Sequence, residues 1–200
     1  MKYFSNLPKI TRTDEFGYSS IMTDLTTRAT IKSKILQNPM LYYTYDIKED
    51  DTPEIIAHKY YNDPYRFWIV LLANEIVDPQ WDWPMNGKSF EGYINSKYTN
   101  VQKNLAHHYE KTISTYDFGS GTLTKDVIVI DESTFNVTLE KEETYSLPTG
   151  DVKSIITKRV VSNYDYENEL NDSKRSIKIL NVDYVYQIEK EFKNLMSVIK

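Results

Sequence analysis

The stretch from residue 42 to residue 74 constrains the fold most, because a strand pattern is followed there by two helix starts. Tyr43, Tyr45 and Ile47 alternate with polar residues. A period of two predicts a strand with one buried face. The close succession of strand and helices predicts a small binding module and not a catalytic core.

The two helix starts are marked by acidic and proline residues. Asp51 is predicted to cap the first helix, with Pro53 in its first turn and Glu54 three residues after the cap. Residues 62–64, Asn-Asp-Pro, repeat this start signal. The helix that follows is apolar nearly all round from residue 67 to residue 73, which predicts a buried position.

Several short motifs in this stretch resemble the LysM module. They are Tyr45-Asp46-Ile47-Lys48, Asp51-Thr52, Ile56-Ala57, Lys59-Tyr60, Leu71-Leu72 and Asn74. The resemblance implies a βααβ unit, which in that family binds glycans containing N-acetylglucosamine. Asp50 stands where the family usually has glycine, and residues 76–84 replace the usual closing strand. We therefore do not expect glycan binding, although a LysM-type module that binds peptidoglycan or chitin is the alternative function.

Motifs along the rest of the chain extend the resemblance. They are residues 1–8, Asp24-Leu25-Thr26-Thr27-Arg28, Asp82-Trp83-Pro84, residues 163–167 and residues 171–180. Together with the LysM-like stretch, they resemble the small baseplate wedge proteins of T-even-type contractile-tailed bacteriophages. The resemblance implies a structural subunit, not an enzyme, that helps to join wedges into the hexagonal tail baseplate. Its expected partners are other baseplate wedge proteins and neighbouring wedges, and its expected location is the virion, after assembly in the host cytoplasm.

The chain is predicted to be an α+β protein with three parts. Residues 1–40 form an extended N-terminal arm, residues 41–85 form the LysM-like βαα domain, and residues 86–200 form a mixed α/β region. In the arm, only Leu25, Ile31, Ile35 and Leu36 suggest a short element.

The C-terminal region is predicted to begin with a short helix near Ser89 and then to be rich in strands. Gly119-Ser-Gly121 predicts a hairpin between residues 113–118 and 123–130. Further strands are predicted at residues 134–139, 152–161 and 176–180. Apolar residues at helical spacing from Val185 to Ile199 predict an amphipathic C-terminal helix.

Charge and composition narrow the possible partners. The net charge of −5 is unevenly spread, with +3 on residues 1–40 and −6 on residues 41–85. An acidic module does not favour a polyanion, so no nucleic acid is expected. The longest apolar run is too short for a membrane span and no signal peptide is visible, so no membrane partner is expected. The absence of cysteine excludes disulfides and cysteine chemistry.

The sequence carries no recognisable catalytic or cofactor motif. It has no nucleophile elbow, no glycine-rich phosphate loop and no paired zinc-binding histidines at helical spacing. His107 and His108 are adjacent, so their rings would point to opposite faces in a strand and would diverge by roughly 100° in a helix. His58 is expected at the surface. We predict no catalytic residue, no cofactor and no metal site.

Aromatic and basic residues are the candidates for a protein interface. Aromatic residues make up 14% of the chain, and they are enriched in protein interfaces. Trp68 is predicted to lie in the core. The predicted interface residues are Arg28, Trp81, Trp83, Tyr164, Tyr166, Lys174 and Arg175. Lys174 and Arg175 are expected to form a polar turn with residues 171–173 and to pair with acidic groups of a neighbouring subunit.

Overall fold

The computed structural model describes residues 2–31, 38–148 and 150–198. It is a mixed α and β structure, as predicted, and divides into two compact units. Unit 1 comprises Met1–Gly87 and Asp172–Lys200, and unit 2 comprises Lys88–Asn171. The parts of the predictions that rest on Ile35, Leu36 and Ile199 lie outside the described residues.

Unit 1 contains two small sheets and several helices. Its strands are β1 (Lys9–Thr13), β2 (Ser19–Thr23), β3 (Tyr42–Asp46) and β8 (Ser176–Leu180). Its α-helices are α1 (Pro53–Tyr61), α2 (Phe67–Ala73), α3 (Pro79–Asp82) and α8 (Val182–Val198). Short 3-10 helices are found at Phe4–Asn6, Pro39–Leu41 and Pro64–Arg66.

Strands β3 and β8 pair with each other, although they are far apart in the chain. The pairing is antiparallel and runs from Tyr42 opposite Leu180 to Asp46 opposite Ser176. The sequence predicted both strands but not their pairing. The outer edge of β8 is closed by two side chains of unit 1. Asn74 bonds to both main-chain groups of Lys178, at 2.7 and 2.8 Å.

Tyr61 is the second of these side chains. Its hydroxyl donates to the Leu180 carbonyl at 3.1 Å, and burial raises the pKa of this phenol far above its ordinary value. Since both Tyr61 and Asn74 belong to the helical segment, the helices fix β8 in place through hydrogen bonds as well as through packing.

The first helix is capped by Thr52, so the prediction that Asp51 would be the cap was wrong. The Thr52 hydroxyl accepts the Ile55 N–H at 3.3 Å, and Pro53 occupies the first helical position. Asp51 cannot serve as the cap because its carboxylate is already engaged by Tyr45, Lys59 and the Lys48 N–H. The second start signal is confirmed, because Asp63 caps the 3-10 turn that leads into α2.

The main hydrophobic core lies in unit 1 and joins the segments before and after unit 2. Ile69 on α2 and Ile179 on β8 are both fully buried. Trp68 is buried as predicted and contacts Phe192 of α8 at 4.9 Å between ring centroids. Helix α8 is also tied to the start of α2 by Arg66, whose Nε lies 2.9 Å from a carboxylate oxygen of Glu189.

Unit 2 is a four-stranded antiparallel sheet with short helices. The strands are β4 (Ala106–Asp117), β5 (Thr122–Ile130), β6 (Lys141–Leu147) and β7 (Gly150–Ser162), in the spatial order β5-β4-β7-β6. The helices are α4 (Gly87–Lys97), α5 (Asn100–Lys103), α6 (Glu132–Val137) and α7 (Asn163–Ser173). Helices α4 and α7 each extend slightly beyond the unit at one end.

The predicted hairpin around Gly121 is confirmed, with Asp117 opposite Thr122 at its closed end. Gly121 has a φ of +68°, which glycine adopts without strain. The strand predicted at residues 134–139 is wrong, because residues 132–137 form α6. The Asp131 side chain accepts the N–H groups of Ser133 and Thr134 and so starts a helix where propensity favoured a strand.

Helix α7 also replaces part of a predicted turn. Residues 171–173, predicted as a polar turn, are the last residues of this helix, and the turn is confined to the residues between Ser173 and β8. The helix is attached to α4 through the buried carboxylate of Glu167. Its oxygens accept hydrogen bonds from Lys97 at 2.6 Å, from Tyr98 at 2.9 Å and from Tyr93 at 3.1 Å.

Candidate interaction surfaces

Trp81 is exposed on the surface of unit 1. Helix α3, which carries it, is started by Asp78, whose side chain accepts the Gln80 N–H at 3.0 Å. The Trp81 side chain is 62% exposed. The Lys174 ammonium donates to the Trp81 carbonyl at 2.6 Å. Two predicted interface residues are therefore neighbours, with Lys174 holding the main chain beneath the exposed indole.

Trp83 lies two residues further on but is buried, with only 9% of its surface exposed. Its indole N–H donates to the Asp51 carbonyl at 3.0 Å. This position makes Trp83 part of the chain's own core, and its predicted role at an interface remains only a prediction. Proline and aspartate around it suggested a loop, but they did not reveal that the indole turns inward.

Arg175 connects three parts of unit 1. Its guanidinium donates to Asp172 at 2.9 Å and to the Met85 carbonyl at 3.3 Å, and one of its nitrogens lies 3.9 Å from a Glu49 oxygen. Its own carbonyl accepts the Ile47 N–H at 2.9 Å, which extends the pairing of β3 with β8. The guanidinium is thus bonded within the chain.

The loop after β3, residues 47–52, is called here the acidic loop. Its Asp51 carboxylate is buried, which alone would raise its pKa. Hydrogen bonds from Lys59, Tyr45 and the Lys48 N–H outweigh burial, so the pKa lies below its ordinary value. The distances are 2.6 Å to Lys59 and to Tyr45 and 3.1 Å to the Lys48 nitrogen. The carboxylate therefore stays ionised at neutral pH and holds the loop to α1.

Residues 86 and 87 cover the outer part of the acidic loop. The Asn86 amide donates to the Asp50 carboxylate at 3.0 Å, and the Gly87 N–H donates to the Glu49 carboxylate. Asp50 has a φ of +64°, a conformation that glycine adopts freely and that aspartate tolerates better than most residues. The position therefore requires the backbone geometry for which a glycine would ordinarily be used.

The remaining predicted interface residues lie elsewhere. Arg28 is exposed in unit 1; burial raises the pKa of Tyr3, and the charge of Arg28 opposes this rise. In unit 2, the Tyr164 hydroxyl donates to Glu91 at 3.1 Å, and this bond raises the pKa of the phenol. Tyr166 stacks on His107 with ring centroids 3.8 Å apart. Both tyrosines are half-buried and contact residues of their own unit.

His107 and His108 do not point to opposite faces as predicted. Their Nδ1 atoms are 2.8 Å apart, because the register of β4 against β7 shifts between Ala106 and His108. Among the described residues, no group of three or more histidine, cysteine, aspartate or glutamate side chains is arranged to hold a metal ion. His58 is exposed on α1, as expected.

A carboxylate beside this pair ties β4 to β7. Glu110 accepts a hydrogen bond from Arg159 at 2.6 Å, and its other oxygen lies 3.1 Å from His108. The bond from Arg159 is the main reason that the pKa of Glu110 lies below its ordinary value. The arrangement holds β4 and β7 together. The Arg159 guanidinium also binds Glu169 of α7 at 2.8 Å.

A hairpin of β1 and β2 provides a surface that the sequence did not predict. Its strands pair from Lys9 opposite Thr23 to Thr13 opposite Ser19, and almost all of its residues are exposed. Exposed apolar side chains cover its faces and tip; they are Ile10, Phe16, Tyr18, Ile21 and Met22. Asp14 and Gly17 are residues that favour a turn. In the structure, the Asp14 side chain accepts the N–H groups of Phe16 and Tyr18.

Strand β5 provides a second such surface, at one edge of the sheet in unit 2. Its apolar end, residues 127–129, is exposed on both faces, with Val129 65% exposed. The opposite edge strand, β6, begins instead with Lys141, Glu142 and Glu143. Charged residues on an edge hinder pairing with other strands, whereas an apolar edge invites it.

None of the helices that the structure describes is both long and apolar enough to cross a lipid bilayer.

Comparison with known proteins identifies one family and one relative that are similar to parts of the chain. The family model described as Base plate wedge protein 53 matches residues 20–195. The baseplate wedge protein gp53 of Enterobacteria phage T4 is 33% identical to the chain over 58 residues. This alignment covers 29% of the chain and 30% of the T4 protein, so the chain spans less than a third of that relative. Because the family model covers both units and most of the chain, the chain belongs to the base plate wedge protein 53 family.

Proposed function

We propose that the chain is a structural subunit that joins wedges of a phage tail baseplate through protein–protein contacts. The observation that carries the proposal is the exposed apolar surface of the β1–β2 hairpin and of strand β5, in a member of a baseplate wedge family. Exposed apolar patches of this kind are typical of surfaces that become covered by partner proteins. Other baseplate wedge proteins and neighbouring wedges are the proposed partners, and the proposed location is the virion, after assembly in the host cytoplasm.

Trp81 is the proposed anchor of a partner contact in unit 1. A large aromatic side chain that is exposed in the free subunit contributes much area at little cost in conformational entropy. Lys174 holds the main chain of Trp81, so less conformational entropy is lost when a partner binds. Arg28 is a second proposed contact, basic in character, and its role does not depend on a position beside Trp81.

We also propose that residues 41–85 form a LysM-like unit. The order of β3, α1 and α2 supports this interpretation, and β8 supplies an antiparallel strand where the local sequence lacks one. The positive φ of Asp50 is further support, because the resemblance places a glycine at that position. The unit is proposed to serve protein contacts, since Asn86 and Gly87 bind the acidic loop that a glycan would have to reach.

The proposal is tested by mixing the purified chain with the other wedge proteins of the same phage and separating the products by size-exclusion chromatography. We expect the chain to elute with the wedge proteins. Trp81→Ala should weaken this co-elution, whereas Tyr186→Ala, which removes a similarly exposed aromatic residue of α8, is the matched control.

Two results would count against this function. If the chain never elutes with wedge proteins at any mixing ratio, the structural role is wrong. If it instead sediments with insoluble peptidoglycan, and substitutions in the acidic loop abolish the sedimentation, the glycan-binding function is the correct one.

A further inference from the structure

The free edge of the hairpin can be identified from its hydrogen bonds. The Asp14 N–H donates to the Tyr18 carbonyl at 3.0 Å, and the Asp24 N–H donates to the carbonyl of residue 8 at 2.9 Å. The direction of main-chain groups alternates along a strand, so even-numbered residues of β1 face β2. The groups that face outward belong to Lys9, Thr11 and Thr13.

The same reasoning identifies the free edge of β5. The Phe118 N–H donates to the Asp151 carbonyl at 2.9 Å, at the end of β7. The neighbouring Asp117 therefore faces β5, and its register partner Thr122 faces β4. Even-numbered residues of β5 thus bond to β4. The outward groups belong to Leu123, Lys125, Val127 and Val129, and no described residue hydrogen-bonds to them.

We propose that β1 of one copy of the chain adds antiparallel to β5 of a second copy, with Arg12 opposite Asp126 and Ile10 opposite Ile128. In this register the outward-facing Thr11 meets the outward-facing Val127, so the main-chain donors and acceptors of both edges are satisfied. The result is a six-stranded sheet made of four strands from one copy and the hairpin from the other.

Charge selects this register. Arg12 and Asp126 are exposed, and neither forms an ion pair with a residue that the structure describes. Opposite each other they form a non-hydrogen-bonded pair, in which Cα atoms are about 4.5 Å apart and side chains are closest. A shift of two residues in one direction would place Asp14 opposite Asp126, and a shift in the other direction would place Ile10 opposite Asp126.

Net charge also favours the approach of β1 of one copy to β5 of another. Residues 1–40 carry +3, whereas unit 2, residues 88–171, holds nine basic and thirteen acidic residues and carries −4. The two surfaces therefore attract each other before contact. A hairpin of two strands is only marginally stable by itself, and the apolar edge of β5 is exposed. Pairing would stabilise the hairpin and cover the edge.

This self-association goes beyond the proposed function, because a wedge subunit that contacted only other proteins would serve that function equally well. Its failure in experiment would leave co-elution with wedge proteins unaffected. The two proposals can therefore be distinguished.

A charge exchange tests the register. Sedimentation velocity over a concentration series should show reversible association of the unmodified chain. Arg12→Asp and Asp126→Arg should each weaken it by about tenfold, since each places like charges opposite one another. The chain that carries both substitutions should recover the original association. A chain that stays monomeric at every concentration, or a double variant that does not recover, would overturn the proposal.

Mixing the two single variants distinguishes pairing between copies from pairing within one chain. The new acidic side chain at position 12 of one variant then meets the new basic side chain at position 126 of the other only across two different molecules. The mixture should therefore associate more tightly than either variant alone. Recovery in the double variant without recovery in the mixture, and without dependence on concentration, would show pairing within one chain and would overturn the assignment to a second copy.

A disulfide trap gives a readout that does not depend on affinity. The chain has no cysteine, so Ile10→Cys in one copy and Ile128→Cys in another supply the only thiols. Directly opposed residues in a non-hydrogen-bonded pair are close enough for a disulfide. Val127→Cys is the matched control, because its side chain lies on the other face of β5. We expect mild oxidation to link Ile10→Cys to Ile128→Cys; equal or faster linkage to Val127→Cys would overturn the register.

Discussion

The two units bury very different amounts of apolar surface. Among the described residues, sixteen of the nineteen buried hydrophobic side chains belong to unit 1, and all members of the main core cluster lie there. In unit 2, the described buried hydrophobic residues are Phe90, Ile94 and Val161. Each unit has a strand, β8 in unit 1 and β5 in unit 2, that pairs with another strand along one edge only. In unit 1 the edge of β8 is closed by Asn74 and Tyr61, whereas the edge of β5 in unit 2 has no such cover among the described residues.

The two units are therefore held together in different ways. Unit 1 is held together by a hydrophobic core that joins segments near both ends of the described chain. Unit 2 leaves its two edge strands, β5 and β6, largely exposed, and its helices α4 and α7 are joined through the buried carboxylate of Glu167. A sheet with little apolar cover is marginal until a partner packs against it.

The largest effect should come from a deletion in the core of unit 1. Ile69→Ala removes a fully buried side chain and should lower the free energy of unfolding by about 2–5 kcal/mol. The matched change Val127→Ala in unit 2 should cost roughly 0.5 kcal/mol or less, because half of that side chain is already exposed. Urea unfolding followed by tryptophan fluorescence measures the first effect, since all three tryptophans lie in unit 1, and hydrogen exchange in the sheet of unit 2 measures the second. Similar losses for both variants would contradict the comparison.

The next effect concerns the polar cluster that fixes α7 to α4 in unit 2. Glu167→Gln removes the charge that binds Lys97, Tyr98 and Tyr93, and we expect a local loss of about 1.5–3 kcal/mol. Hydrogen exchange resolved by peptide should show faster exchange in α4 and α7. Tryptophan fluorescence should change little, and Glu169→Gln, which alters an exposed carboxylate of the same helix, serves as the control.

Acid should destabilise unit 2 before it destabilises unit 1. The pKa values of Asp51, Glu110 and Glu167 are all lowered in the folded chain. A lowered pKa contributes stability above the unfolded value, about 4 for these groups, and this stability is lost as pH falls through the folded value. Unit 2 contains two of the three carboxylates and the smaller core, so it should lose protection at a higher pH than unit 1. Hydrogen exchange at a series of pH values measures this order, and simultaneous loss in both units would contradict it.

The smallest effect should come from the acidic loop. Asp50→Ala places a residue that disfavours positive φ at +64° and should cost about 1–2 kcal/mol. Asp50→Gly removes the same hydrogen bond from Asn86 but accepts the conformation, so it should cost less than Asp50→Ala. Thermal unfolding of both variants is sufficient for this test. Equal losses would indicate that the hydrogen bond, and not the backbone conformation, determines the choice of residue.

Local patterns in the sequence predicted the elements better than their partners. The alternation at Tyr43, Tyr45 and Ile47 and the helical spacing from Val185 are carried by neighbouring residues, and both elements formed. The predicted buried face of the strand is only partly correct, because Tyr43 is exposed. The pairing of β3 with β8 depends on residues 42–46 and 176–180, which are far apart in the chain. No local period can reveal such a contact, because it is decided by the packing of the core.

Two of the errors have a common physical cause. Around Asp131 and Thr52, short polar side chains bond to nearby N–H groups, and such bonds override propensity or shift a cap by one residue. The sequence also predicted only part of the candidate surfaces. Trp81 and Trp83 have nearly the same neighbours in sequence, yet one is exposed and the other buried. The exposed hairpin was missed because its apolar residues follow no sustained alternation.

Hydrogen exchange on the free chain and on the chain assembled with its proposed wedge partners shows directly whether the hairpin and the edge of β5 become covered. In the monomeric chain, at a concentration too low for self-association, the amides of Leu123, Lys125, Val127 and Val129 and of the β1–β2 hairpin should exchange quickly, while those of β3 and β8 exchange slowly. On assembly, we predict that the hairpin and the edge of β5 become protected and that unit 1's core is unchanged. If these amides exchange equally fast in the free and assembled chain, the hairpin and the edge of β5 are not contact surfaces.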